Sequence, residues 1–206
     1  LFPEGEPPHF TTLGFFVGHP WIPPAEQAGH AERTGMVAGL VRALVLGRYA
    51  VDPPASLSDL GCGDGSLLRL TAELGVPQWG YDAGTQNVAV AHSRGLDVHQ
   101  ADVLDLAALD VGDLATACDV VEHLADPHGW LAKVPSRLLV VSSPAAETGE
   151  WHYEHHAWAW DVPGYRALVE GAGWRVLDQV RCEAPPTSHG GETRPQWFQA
   201  VVGVRP

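Results

Sequence analysis

Apolar residues along this chain switch between a helical period and a strand period, and the switches divide it into elements. From about Ala25 to Leu46, residues Met36, Val37, Leu40, Val41, Leu44 and Val45 recur at helical spacing, and Pro53-Pro54 closes the segment. This predicts a helix covering the main domain. Short apolar runs then alternate with helical patterns: LSDL at 57–60, WGYD at 79–82, DVHQAD at 97–102, LATACDVV at 114–121 and RLLVVSS at 137–143. Alternation of this kind predicts βαβ units and a parallel sheet. Between the first two runs, Leu67, Leu70, Thr71 and Leu74 form one helix face, which Gly75 ends. Asp126-Pro127 reads as an N-cap with a first-turn proline, and Asp161 caps a helix with Tyr165, Leu168, Val169 and Ala172 on one face. The last two runs, WRVLDQV at 174–180 and QWFQAVVGV at 196–204, have no helix between them, which predicts antiparallel pairing across the loop RCEAPPTSHGGETRPQ. Ahead of the first helix, Pro3, Pro7, Pro8, Pro20, Pro23 and Pro24 break any long regular element and predict an extended arm.

Composition narrows the class. The 206 residues are 45% hydrophobic, which suits one domain around a single core. The longest apolar run, Met36 to Gly47, is too short to span a bilayer and is broken by Arg42, so no membrane partner is expected. No basic stretch followed by an apolar one opens the chain, so no secretory signal is expected either. Cys62, Cys118 and Cys182 lie far apart and form no CxxC pair, which argues against a disulfide framework or a thiolate zinc site and points to a reducing cytoplasm. With 12 Lys+Arg against 25 Asp+Glu, the formal charge is -13, and the arginines are scattered singly, which disfavours a nucleic-acid partner. Nothing in the pattern specifies an oligomeric state.

The stretch SDLGCGDGSLL at 58–68 places Gly61, Gly63 and Gly65 between a strand and a helix. Glycines there permit a tight turn and let a ligand approach bare backbone; a turn with no ligand uses the same residues. The acids add specificity. Asp82 ends the next strand about 20 residues on, where a carboxylate can accept both hydroxyls of a ribose. Asp102 follows the third strand at the same edge, suited to an exocyclic amine of adenine, and Asp59 precedes the glycines, suited to an ammonium group. A dinucleotide would bring its pyrophosphate to the helix N-terminus, whereas a ligand with an amino-acid end and no phosphate favours acids around the loop, and Asp64 is a further acid there.

In these features the chain resembles the class I S-adenosylmethionine-dependent methyltransferases. DLGCGDGSLL is similar to their first motif, GYDAG to their ribose-binding strand end, QADV to their adenine-contacting turn, and the final strand pair to their antiparallel hairpin. The resemblance covers about residues 55 to 204. It implies an α/β, Rossmann-like, seven-stranded and mostly parallel sheet with an antiparallel C-terminal hairpin and helices on both faces. Residues 1–54 would form an N-terminal arm and helical cap of the same domain, and 55–206 the donor-binding core. It further implies that Asp59, Gly61, Gly63 and Asp119 line the methionine end of S-adenosylmethionine, Asp82 its ribose, and Asp102 and Val103 its adenine. Ala83 and Gly84 depart from the hydrophobic residue usual after the ribose-binding acid.

After the fourth strand comes CDVVEHLADP, 118–127. A helical turn there would put Asp119, Glu122 and His123 on one face, toward the donor. The segment resembles one found both in small-molecule methyltransferases and in the small-RNA 3′-terminal 2′-O-methyltransferases, which bind a divalent cation. HHAWAW at 155–160 is similar in spacing to the later motif of that second group and aligns His156 with its fourth ligand. The resemblance thus implies catalytic roles for Glu122, His123 and His156, and a divalent metal ion on Asp119, Glu122, His123 and His156. Asp119 is shorter than the glutamate of that group, and Ala159 stands in place of its second glutamate. Glu122 and His123 serve equally as a helix cap that closes a metal-free pocket. Trp151, Trp158 and Trp160 suit either a substrate wall or packing, and His152 or His155 suits a general base if it faces the donor. The expected activity is methyl transfer from S-adenosylmethionine to a small molecule. The alternatives are a metal-assisted RNA 2′-O-methyltransferase and a non-catalytic donor-binding partner protein.

Overall fold

The computed structural model describes residues 29–145, 156–189 and 192–206, leaving out the side chains of 187–189 and 192–195. The proline-rich arm, Trp151, His152 and His155 lie outside the described residues. Seven strands form one sheet: β1 (Leu57–Leu60), β2 (Gln78–Asp82), β3 (Val98–Gln100), β4 (Leu114–Cys118), β5 (Leu138–Ala145), β6 (Arg175–His189) and β7 (Glu192–Val204), in the order β3-β2-β1-β4-β5-β7-β6. β1 to β5 run parallel, and β7 pairs antiparallel with both β5 and β6. Chain order reverses between β1 and β4, where open sheets of this class hold their ligands beyond the strand ends.

Among the described residues, five helices cover the sheet: α1 (His30–Val45), α2 (Ser66–Thr71), α3 (Thr85–Ser93), α4 (Pro127–Lys133) and α5 (Val162–Gly171). Strand alternation divides the core in two. In β5, Leu138 and Val140 pack with Val37, Val41 and Leu44 of α1 on one face, while Leu139 and Val141 pack with Trp130, Leu131, Tyr165 and Val169 of α4 and α5 on the other. The first helix is therefore a core layer, with only its N-terminal end reaching the strand ends. Asp126 and Asp161 cap α4 and α5 as expected, accepting the N–H of Gly129 at 2.8 Å and of Gly164 at 2.7 Å.

Three expectations need correction. Leu70 is exposed and Leu68 takes the inward position: the six-residue helix turns Leu67, Leu68 and Thr71 to the core, a face centred about 100° away from Leu70, before a 3-10 turn follows at Ala72–Leu74. The fourth strand stops at Cys118, because Asp119 adopts a left-handed φ of 51° and a 3-10 turn follows at Val121–His123. Most of the predicted C-terminal loop is strand. As an edge strand, β6 tolerates Pro185-Pro186, and its register shifts between Ala184 and Thr187.

Candidate functional site

The glycine loop follows β1. Gly61, Gly63 and Gly65 all have positive φ, and a Cβ at Gly61 would stand 2.6 Å from Val120 Cγ2, so backbone and the β4 turn meet there only because Gly61 has no side chain. The loop's amides are used within the chain. Gly61 and Cys62 donate to the Tyr81 carbonyl at 2.8 and 2.9 Å, Gly63 donates to Asp82 at 2.8 Å, Gly65 to Cys62 O at 3.0 Å, and Ser66 to Asp64 at 3.2 Å. Five of the amides there are thus engaged within the chain, which leaves fewer N–H groups for a phosphate and favours a ligand without one.

The acids around it fall into two kinds. Asp59 is buried inside β1, accepts a hydrogen bond from Thr116 at 2.7 Å, and has its pKa pushed up to about 7 by burial, with Asp82 adding to the rise. Asp82 ends β2 and accepts from Gly63, Gly84 and Asn87 at 2.8, 2.8 and 3.0 Å; burial raises its pKa despite these donors. Three of its roughly four acceptor sites are thus taken by the loop it braces. Asp102 accepts the Leu104 N–H at 2.9 Å, and the carbonyl of buried Val103 accepts the Trp130 indole N–H at 2.8 Å, which fixes the turn after β3. Asp64 is of the second kind: burial would raise its pKa, but bonds from Ser66 and Arg94 outweigh that and hold it below the usual range. It braces the loop from behind.

The structure brings Glu122, His123 and His156 together, with their candidate ligand atoms within 4.8 Å of one another. The Glu122 carbonyl accepts the N–H groups of Ala157 at 2.7 Å and Trp158 at 3.2 Å, and the Trp158 indole donates to Leu124 O at 2.9 Å. These bonds carry the His156 ring edge-on to His123, with centroids 4.8 Å apart. Trp158 and Trp160 stack, and Trp160 leans on buried Tyr165. Asp119 is drawn elsewhere: it forms an ion pair with Arg33 and accepts from Ser142 at 3.3 Å. Of the four expected metal ligands, three cluster and Asp119 is engaged by Arg33. Burial pushes its carboxyl above the ordinary range, against the pull of Arg33, His156 and Ser142.

Arg33 escaped the sequence reading. It sits on α1 with 12% of its side chain exposed, pairs with Asp119 and lies over the Phe198 ring, 5.4 Å from its centroid. Burial alone would lower its pKa, but Asp119, Cys118 and Glu122 outweigh this and push it up. A lone arginine on a helix 86 residues before its partner carries no local signal.

A cleft of about 610 Å³ opens between the turn after β3 and α4, lined by Leu104, Leu106, Trp130 and Lys133, with His123 on its rim. No glycine-loop residue lines it, so it is separate from that loop.

A seven-stranded, mostly parallel sheet with an antiparallel C-terminal pair and a glycine loop at the strand-order reversal is a Rossmann-like fold shared with S-adenosylmethionine-dependent methyltransferases. Over residues 58–139 the chain matches the family described as a methyltransferase domain. It is 31% identical over 138 residues to a trans-aconitate 2-methyltransferase of Mycolicibacterium gilvum, covering 65% of this chain and 51% of that protein. To a ubiquinone biosynthesis O-methyltransferase of Cereibacter sphaeroides it is 34% identical over 99 residues, 42% of this chain and 40% of that one. The chain thus spans about half the length of the first of these relatives and less of the second. Magnesium protoporphyrin IX methyltransferase from Synechocystis PCC 6803 with bound SAH shares the fold, with a TM-score of 0.62 at 19% identity over 95% of this chain and 93% of that one. The methyltransferase domain of bacterial CtHen1 also shares it, with a TM-score of 0.57 at 19% identity over 84% and 98%.

Proposed function

We propose that this protein transfers the methyl group of S-adenosylmethionine to a small-molecule acceptor in the cytoplasm. The observation that carries the reading is the glycine loop, whose amides at Gly61, Cys62, Gly63, Gly65 and Ser66 are internally engaged and whose surroundings are acidic, as suits a cationic sulfonium nucleoside better than a phosphate. Asp82 would take the ribose, Asp102 and Val103 the adenine, and Asp59, Gly61, Gly63 and Asp119 the methionine end, where Arg33 is the buried cation closest to hand for its carboxylate. Transfer forms a bond from the acceptor atom to the methyl carbon as the sulfonium–carbon bond breaks, leaving neutral thioether. The acceptor's proton goes to His123, which Glu122 orients and His156 flanks. A surface of formal charge -13 favours a small acceptor over a polyanion. That the two named relatives act on small molecules accords with this.

Calorimetry with S-adenosylhomocysteine tests the reading: one saturable site is expected, and no heat at millimolar ligand would overturn it.

A second reading rests on the Glu122–His123–His156 cluster. Two imidazoles and a carboxylate suit iron, zinc or manganese, and a bound ion would lower the pKa of an acceptor hydroxyl. Ligand atoms around one ion stand roughly 3 to 3.5 Å apart, so the cluster would have to contract by about 1 Å. Elemental analysis of the purified protein, with activity before and after chelation, decides: activity untouched by a chelator in metal-free protein removes this reading.

A further inference from the structure

The first turn of α1 holds a second residue that the proposed mechanism leaves unused. His30 Nδ1 lies 3.0 Å from an Arg33 terminal nitrogen. A guanidinium only donates, so Nδ1 accepts, and the imidazole is neutral with its proton on Nε2. Burial lowers the pKa of His30 and Arg33 lowers it further, which is consistent with that tautomer. His30 Nε2 and Arg33 Nε are both buried and have no hydrogen-bond partner among the described residues. Two N–H donors, one helical turn apart and tied to each other, thus stand without an acceptor at the methionine end of the donor site. Buried donors of this kind are costly unless something accepts from them.

We infer that His30 is a positioning residue for the donor: it fixes the Arg33 guanidinium through Nδ1 and shares with it, through Nε2–H, the α-carboxylate of the bound S-adenosylmethionine. The arrangement needs a side chain that accepts on one side and donates on the other. Neutral histidine does both. Gly29, just before it, has a φ of 73°, and a Cβ there would stand 2.5 Å from Phe198 Cε2, so the helix start is pressed against β7 and His30 has a fixed place. The other charged groups facing His30 are Asp64 and Arg94, already paired with each other.

The inference rests on the donor reading above, and the test separates the two. S-adenosylhomocysteine carries the carboxylate; 5′-methylthioadenosine keeps the nucleoside and sulfur and lacks it. Affinities of both are measured calorimetrically for the full chain and for His30→Ala, His30→Gln and His30→Glu. His30→Ala is expected to weaken S-adenosylhomocysteine about tenfold and leave methylthioadenosine within about twofold. His30→Gln, whose amide accepts and donates, should restore most of the loss. His30→Glu keeps an acceptor for Arg33 but sets a negative charge against the carboxylate, and should lose more than His30→Ala. If the alanine variant does not fold, the Gln and Glu pair gives the same comparison. Equal losses for both ligands, or no loss for either, overturn the role of His30. Wild-type protein that binds neither ligand overturns the donor reading and this inference with it.

Discussion

At the scale of single residues, the proposed donor site is a set of acids whose environments differ. Asp82 is held by three N–H donors and is the brace of the glycine loop as well as the proposed ribose ligand. Asp82→Ala should therefore weaken S-adenosylhomocysteine by about 1 to 3 kcal/mol in calorimetry. Asp59 gives a pH dependence. Its folded pKa, pushed up to about 7, lies above the ordinary carboxylate value, so the folded state binds a proton that the unfolded chain has already lost between about pH 4 and 7. Its contribution to stability is complete below the unfolded value and is lost as pH rises through about 7. A cationic donor favours the ionised form, so donor affinity should rise from pH 5.5 and level off above about 7. Calorimetry across that range checks this, and Asp59→Asn should flatten the profile. The residues that sequence reading found are those with a motif around them. Arg33 and His30 have none, because their partners are distant in sequence or absent from the chain.

At the scale of elements, legibility followed the punctuation. β1 has its predicted bounds because glycine and proline segments enclose it, and α4 and α5 begin where their Asp caps stand. The β6–β7 pair was read as a pair, but its far part at 181–196 was read as loop, because two prolines and a polar run hide a strand at a sheet edge, where backbone pairing needs no apolar alternation. The turn after β4 was read as helical because its spacing fits a helix; the left-handed Asp119 and its bond with Arg33 decide otherwise. That pair ties α1 to the turn that carries Glu122 and His123. Arg33→Met should strand a largely buried carboxylate and cost about 3 kcal/mol of unfolding free energy in urea. Arg33→Met with Asp119→Asn should recover part of that loss, which a double-mutant cycle measures.

At the scale of the whole molecule, the proposed donor site joins the glycine loop, three strand ends and the first turn of α1, so a ligand there would bind folded chain alone. S-adenosylhomocysteine at about 100 times its Kd should add about 2.7 kcal/mol to stability, read as a higher urea midpoint with an unchanged slope. No helix among the described residues is long and apolar enough to cross a membrane. The overall architecture was legible because periodicity and strand count are properties of the entire chain. The acceptor's place was not, because the proline-rich arm and most of the aromatic segment carry no period to read.

One carbonyl, that of Glu122, receives the backbone of both Ala157 and Trp158. Two consecutive amides are therefore anchored at a single oxygen: a change that displaces this one carbonyl loosens Ala157 and Trp158 together and, with them, the seat of His156 beside His123.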